Sequence, residues 1–223
     1  MARALFVAIA GNIGAGKTTL TRRLADRLGL RALFEPADDN PYLADFYGDM
    51  ARWALPLQLR FLADRVARTR RLQAEGVATI QDRTCYEDVE VFAGHLHRLG
   101  HLDERDWRTY RLVADQLLEH LEPPDLLVYL RRSPERCAGQ VRGRGRDYEQ
   151  GLPLDYLRAI GERYDAWFER YAMGPKLLVE AEEADYVGSE ADLEALVERV
   201  LRALPQPLLP FAGEGEPAGA SGT

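Results

Sequence analysis

The chain is short of the residues that staple, anchor or coat a protein. Only two of its 223 residues are cysteines, Cys85 and Cys137. Two thiols make no disulfide framework and lack metal-ligand spacing, so they read as ordinary thiols of a reducing cytoplasm. No apolar run reaches ten residues, whereas a membrane-spanning helix needs about 20. The opening MARALFVAIA carries one arginine and passes straight into a glycine-rich loop. With no cleavage site there, a signal peptide is not expected. Positive charge is in deficit, 29 bases against 36 acids, for a net −7. That balance argues against a general nucleic-acid coat. Lysine is nearly absent: only Lys17 and Lys176 occur, and every other base is arginine. A chain this poor in lysine still places one in its first glycine-rich loop. Histidines His95, His97 and His101 cluster, but no acidic ligand pattern joins them, so a metal site is not expected there.

The bulk composition is that of an ordinary globular protein, 46% hydrophobic and 29% charged. No interior stretch reads as a linker, so one domain is expected over 1–204. Residues 205–223, PQPLLPFAGEGEPAGASGT, are rich in proline, glycine and alanine and read as a disordered tail.

Short apolar runs alternate with amphipathic ones. Strands are expected at 5–10, 31–36, 76–84, 123–131 and 177–181. The first is apolar throughout, as a strand buried on both faces should be. Helices are expected after the glycine loop to Leu28, and over 51–74, 86–98, 106–120, 133–144, 152–171 and 190–204. Gly29 ends the first, and Ser133 caps the fifth with Pro134 at its first position. Strictly alternating strands and helices imply an α/β domain with a central five-stranded parallel sheet, helices covering both faces.

Gly11-Asn12-Ile13-Gly14-Ala15-Gly16-Lys17-Thr18 fits G-x-x-x-x-G-K-[ST], with Thr19 next. It lies between a strand and a helix, the context that confirms a phosphate loop. Its backbone N–H groups and the helix N-terminus face phosphates, Lys17 adds a point charge, and the Thr18 hydroxyl can hold Mg²⁺. The motif binds a nucleoside triphosphate; it does not name a reaction. Glu35 ends the second strand, at the edge where α/β sheets bind ligands, and can take a proton from an attacking hydroxyl. Read alone, it is more simply a surface glutamate. Asp82-Arg83-Thr84 ends the third strand at the same edge. There the acid can hold Mg²⁺ and the arginine can clamp a phosphate, or the two can form a strand-end ion pair. Arg142, Arg144 and Arg146 alternate with glycines between two helices. They suit a mobile lid over a transferring phosphoryl group, with a solvated basic helix end as the alternative.

Together these residues resemble the deoxyribonucleoside kinases over about residues 5–200. The resemblance rests on GNIGAGKTT, FEP, Tyr47 with Arg52-Trp53 and Gln58, DRTCYEDVEVFA, SPERC with RGRD and EQG, and LPLDYL. It implies a phosphate-loop kinase fold with an Arg-rich lid, ATP with Mg²⁺ as donor, and a deoxynucleoside 5′-hydroxyl as acceptor. By resemblance, Glu35 is the general base, Arg83 its partner near the 5′ position, and Asp82 the metal-supporting acid. Gln58 pairs with the base edge, Tyr47 and Glu149 hold the 3′-hydroxyl, and Arg144 and Arg146 meet the phosphates. The family's further lid arginine falls at Gln140, where Arg142 can substitute. Arg65 and Asp88 match a pair that accompanies acceptance of cytosine, adenine or guanine over thymine; an interhelical salt bridge without a role in recognition is the alternative. Purine deoxynucleosides are the favoured substrates on this reading, and deoxycytidine is possible. The resemblance also implies a homodimer, for which helices 86–98 and 106–121 are candidates. Two rivals remain: a thymidylate-type monophosphate kinase, which would need additional positive groups for the acceptor phosphate and against which the FEP and DRT blocks argue, and a non-catalytic relative, which should have lost Lys17, Glu35 or the lid arginines.

Overall fold

The computed structural model describes residues 4–34, 40–144, 152–182, 184, 186 and 188–205. Five strands form one sheet: β1 (Phe6–Gly11), β2 (Arg31–Leu33), β3 (Thr79–Asp82), β4 (Leu126–Arg131) and β5 (Lys176–Glu180). All neighbours are parallel, in the order β2-β3-β1-β4-β5. β1 is central and buried at all six positions, which is why its sequence is apolar on both faces.

The intervening helices are α1 (Lys17–Leu28), α2 (Leu43–Gly48), α3 (Met50–Glu75), α4 (Cys85–Glu87), α5 (Gly94–Arg98), α6 (Glu104–Leu118), α7 (Pro134–Arg144), α8 (Leu154–Arg170) and α9 (Glu190–Ala203). Leu20 and Leu24 of α1 and Leu193, Leu196 and Val200 of α9 pack on Val7, Ile9 and Val128 on one sheet face. Ile160, Tyr164 and Trp167 of α8 pack on Ala8, Ala10, Leu127 and Tyr129 on the other. A third cluster, with Leu57, Leu62 and Val66 of α3 against Leu96, Tyr110 and Ala114, builds a helical layer beside the sheet. The chain after β1 crosses to β2 and β3 on one side, then to β4 on the other. A crevice opens at such a reversal, at the carboxyl ends of the strands.

Element types follow the sequence, and the differences have local causes. β2 stops at Leu33 rather than running to Pro36, and residues 35–39 lie outside the described part, as does all of the expected tail beyond residue 205. α2 had no counterpart in the reading. The helix expected over 86–98 is α-helical only at its ends; Asp88–Ala93 between α4 and α5 is π-helical. Arg163 of α8 sustains this wider stretch, its Nε donating to the Val91 carbonyl at 3.1 Å and its Nη2 to the Glu90 carbonyl at 3.3 Å.

Gly94 is the residue that lets the arginine in. A Cβ there would stand 2.4 Å from Arg163 Nη2. Gly94→Ala should gain about 1 kcal/mol of helix propensity but lose charged hydrogen bonds worth about 1.5–3 kcal/mol. The net is a loss of roughly 0.5–2 kcal/mol, a fall in Tm of roughly 1–8 °C. Thermal unfolding checks this; a Tm at or above the parent's would mean that Arg163 does not sustain the π-helical stretch.

Candidate active site

The loop from Gly11 to Gly16 folds as a phosphate cradle because its glycines adopt backbone that other residues resist. Gly14 has φ +77°, and a Cβ on it would stand 2.4 Å from the Cys137 carbonyl of α7. Gly16 is the N-cap of α1 in the left-handed region, and no side chain caps it. The first N–H groups of a 12-residue helix therefore face the loop, where they can satisfy an anion. Asn12 fixes the loop from behind: its Nδ2 donates to the Leu157 carbonyl of α8 at 2.7 Å, and its Oδ1 accepts the Ile13 N–H at 2.8 Å. Lys17 is only 6% exposed. Its Nζ donates to the Asn12 carbonyl at 2.7 Å, so the ammonium is held inside the loop.

β3 delivers the second set of groups. The Thr18 hydroxyl donates to Asp82 Oδ2 at 2.5 Å. Asp82 Oδ1 is buried and has no hydrogen-bond partner among the described residues. A buried carboxylate oxygen left over beside a hydroxyl is a donor set that fits a hard divalent cation. Immediately after, Arg83 takes a left-handed φ of 68°. Its guanidinium lies over the Phe92 ring at 4.7 Å and donates to Tyr164 Oη at 2.6 Å.

The far end of the crevice is made by α2, α3 and the π-helical stretch. Arg65 and Asp88 are both buried and meet in a two-point contact, Nε to Oδ2 at 2.8 Å and Nη2 to Oδ1 at 3.1 Å. Gln58 is buried too, and its Oε1 has no hydrogen-bond partner among the described residues. Leu43, Phe46, Leu57 and Phe61 supply apolar walls around these polar groups.

One cleft joins the two ends. Of the residues expected from sequence, it brings together Ile13, Gly14, Lys17, Thr18, Tyr47, Gln58, Arg65, Asp82, Arg83, Asp88 and Arg144. Arg142 lies outside it. Arg142 and Arg144 both fall in the last turn of α7, inside the helix expected over 133–144, so neither belongs to a connection between helices. Two residues apart on a helix is about 200°, so only one of them can face the cleft. Asn12 and Ala15 are buried supports of the loop, and Gly11 abuts the Leu130 carbonyl. Glu35, Arg146 and Glu149 lie outside the described residues.

The sequence reading missed Phe92, Tyr156, Tyr164 and Glu87. Apolar residues at helical spacing read as core, and nothing in sequence separates a cleft wall from a core face. Phe92, four residues after Asp88, lies on the same side of this stretch and lines the cleft with it. Burial pushes the Tyr156 hydroxyl up to about 12. The same cause moves the Cys137 thiol up to about 11, partly offset by the Lys17 charge nearby, so the thiol behind the loop is protonated. Burial likewise raises Glu87, against the opposing pull of Arg83.

Comparison with known proteins agrees with this geometry. The model of the deoxynucleoside kinase family matches residues 7–205. The chain is 33% identical over 196 residues to a deoxyadenosine/deoxycytidine kinase of Bacillus subtilis, covering 87% of this chain and 90% of that one. It is 30% identical over 207 residues to a deoxyguanosine kinase of Lactobacillus acidophilus, covering 89% and 90%. Among solved structures, deoxyadenosine kinase from M. mycoides with bound dCTP superposes with a TM-score of 0.77 at 25% identity, covering 89% of this chain and all of that one. Among the described residues no helix is long and apolar enough to cross a membrane. With a phosphate loop at one end of its cleft and buried polar groups at the other, the chain belongs to the deoxynucleoside kinase family and is an enzyme that phosphorylates deoxynucleosides.

Proposed function

We propose that the protein transfers the γ-phosphoryl group of ATP to the 5′-hydroxyl of deoxynucleosides, purine deoxynucleosides above all. The observation that carries this reading is Gln58. Its buried Oε1, without a hydrogen-bond partner among the described residues, belongs to a side chain that lines the same cleft as the Arg65–Asp88 pair and Lys17. A primary amide offers a donor and an acceptor side by side, which complements the N6/N1 edge of adenine and the corresponding edges of guanine and cytosine. Thymine would bring its methyl group against these buried polar groups. The names of the bacterial relatives, which include deoxyadenosine, deoxyguanosine and deoxycytidine kinases, support the same order.

In this reading the base lies between the apolar walls, and Tyr47 and Glu149 hold the 3′-hydroxyl. Glu35 takes the 5′-hydroxyl proton as that oxygen attacks the γ-phosphorus; the bond to the bridging oxygen breaks and ADP leaves. Arg83 steadies the reacting end of the nucleoside. Gly14 and Gly16 of the loop, Lys17, Thr19 and the lid arginines Arg144 and Arg146 meet the phosphates. Thr18 and Asp82 would hold Mg²⁺, which when bound neutralises charge spread over the β- and γ-phosphates. The reading extends to a homodimer working in the cytoplasm.

The test is ADP release with each of the four deoxynucleosides and with their 5′-monophosphates. Turnover is expected with the nucleosides, fastest with a purine and slowest with thymidine. Turnover with the monophosphates alone would instead make the protein a thymidylate-type kinase.

A further inference from the structure

We propose that Glu87 and Tyr164 form a buried relay that positions Arg83 in the cleft, an inference that rests on the reading of Arg83 given above. Arg83 Nη1 donates to Tyr164 Oη at 2.6 Å, and Tyr164 Oη donates to Glu87 Oε1 at 2.6 Å. The guanidinium and the carboxylate are themselves 3.8 Å apart. The tyrosine hydroxyl thus closes a pair that would otherwise be loose. The other carboxylate oxygen of Glu87 accepts the Thr84 N–H at 2.6 Å.

Burial sets this arrangement apart from a helix cap. Asp103 and Ser189, which cap α6 and α9, are exposed and half-buried respectively. Glu87 completes a capping box with Thr84, and it is also 0% exposed, as is Tyr164, while Arg83 is 8% exposed. Capping alone would not require a carboxylate taken wholly out of water, where an unpaired charge is heavily penalised. What lies against it is Arg83, the only non-glycine among the described residues with a left-handed φ. A side chain in that region costs roughly 1–2 kcal/mol, and such strain persists only where the surroundings over-determine it. Glu87 supplies the determination, holding the backbone at Thr84 with one oxygen and the side chain of Arg83 through Tyr164 with the other. Tyr164 comes from α8, so the turn after β3 is tied to a helix that also holds Asn12 of the phosphate loop. The relay makes Arg83 and the loop parts of one rigid frame.

The test is a double-mutant cycle. Tyr164→Phe removes one hydroxyl and should lower kcat about tenfold to a hundredfold, the range for misplacing a catalytic group by about an ångström. The KM for deoxynucleoside should stay within about threefold, because the contacts to the base and the 3′-hydroxyl are untouched. Glu87→Gln, which keeps an acceptor for Tyr164 but removes the charge, should lower kcat in the same direction. In an Arg83→Lys background, itself slow, neither change should alter kcat by more than about twofold, since the relay acts only through Arg83. Parent-like kcat for Tyr164→Phe beside a slow Arg83→Lys would overturn the relay and leave the reading of Arg83 standing. Parent-like kcat for Arg83→Lys would overturn that reading and the relay with it. Equal losses from Tyr164→Phe in both backgrounds would place Tyr164's effect elsewhere and sink the relay.

Discussion

Lys17→Ala is expected to abolish phosphoryl transfer while leaving the protein folded. The side chain is the one fixed positive charge inside the phosphate loop, held by its bond to the Asn12 carbonyl. Phosphoryl transfer offers the protein little to do beyond positioning and charge neutralisation. Removing one preorganised donor aimed at developing charge costs about 10²–10³ in kcat, and a full positive charge on the β/γ-phosphates should cost at least that. The same substitution strips a charged donor from the Asn12 carbonyl, a loss of about 1.5–3 kcal/mol. A stability of about 5–15 kcal/mol absorbs it. Circular dichroism should therefore show native helix content and a lowered Tm. Turnover within threefold of the parent would contradict the placement of ATP in this loop.

What could be read from the residues divides along a physical line. Strand and helix types were legible because each carries its own period: β1 is apolar at every position, and the helices repeat every three to four. The phosphate loop was legible because only glycine meets its backbone demands, as at Gly14. Groups whose role comes from a neighbour distant in sequence were not. Glu87 and Tyr164 are 77 residues apart, and neither carries a local signature beyond a cap and an aromatic on a helix. The π-helical stretch was hidden for the same reason, since Arg163, from a helix about 70 residues on, holds its carbonyls. The arginines at 142 and 144 looked equivalent in sequence. Helical rotation separates them, and only Arg144 lines the cleft. Arg65 and Asp88 were legible as a pair but not as to purpose, because spacing alone cannot distinguish a strut from a pocket floor.

Removing that pair should separate the two roles. Asp88→Ala alone leaves the Arg65 guanidinium buried without its two-point partner, and breaking a buried pair from one side costs about 3–5 kcal/mol. For a chain of this size that is a fall in Tm of roughly 6–20 °C. The surroundings give little relief: burial and the Asp88 charge together raise both the Cys85 thiol and the Tyr110 hydroxyl, the mark of a dry pocket. Arg65→Met with Asp88→Ala removes both charges, and such replacements are often neutral or stabilising. The double variant should therefore unfold above the single one. Its substrate preference is the sharper measurement. If the pair forms the floor under the base, thymine's methyl group no longer meets buried polar groups, whose mismatch costs about 1–3 kcal/mol. The kcat/KM ratio of thymidine to deoxyadenosine should then rise roughly tenfold to a hundredfold. Recovered stability with an unchanged ratio would leave Arg65 and Asp88 as a strut between α3 and the π-helical stretch, and base choice would fall to Gln58 and the apolar walls alone.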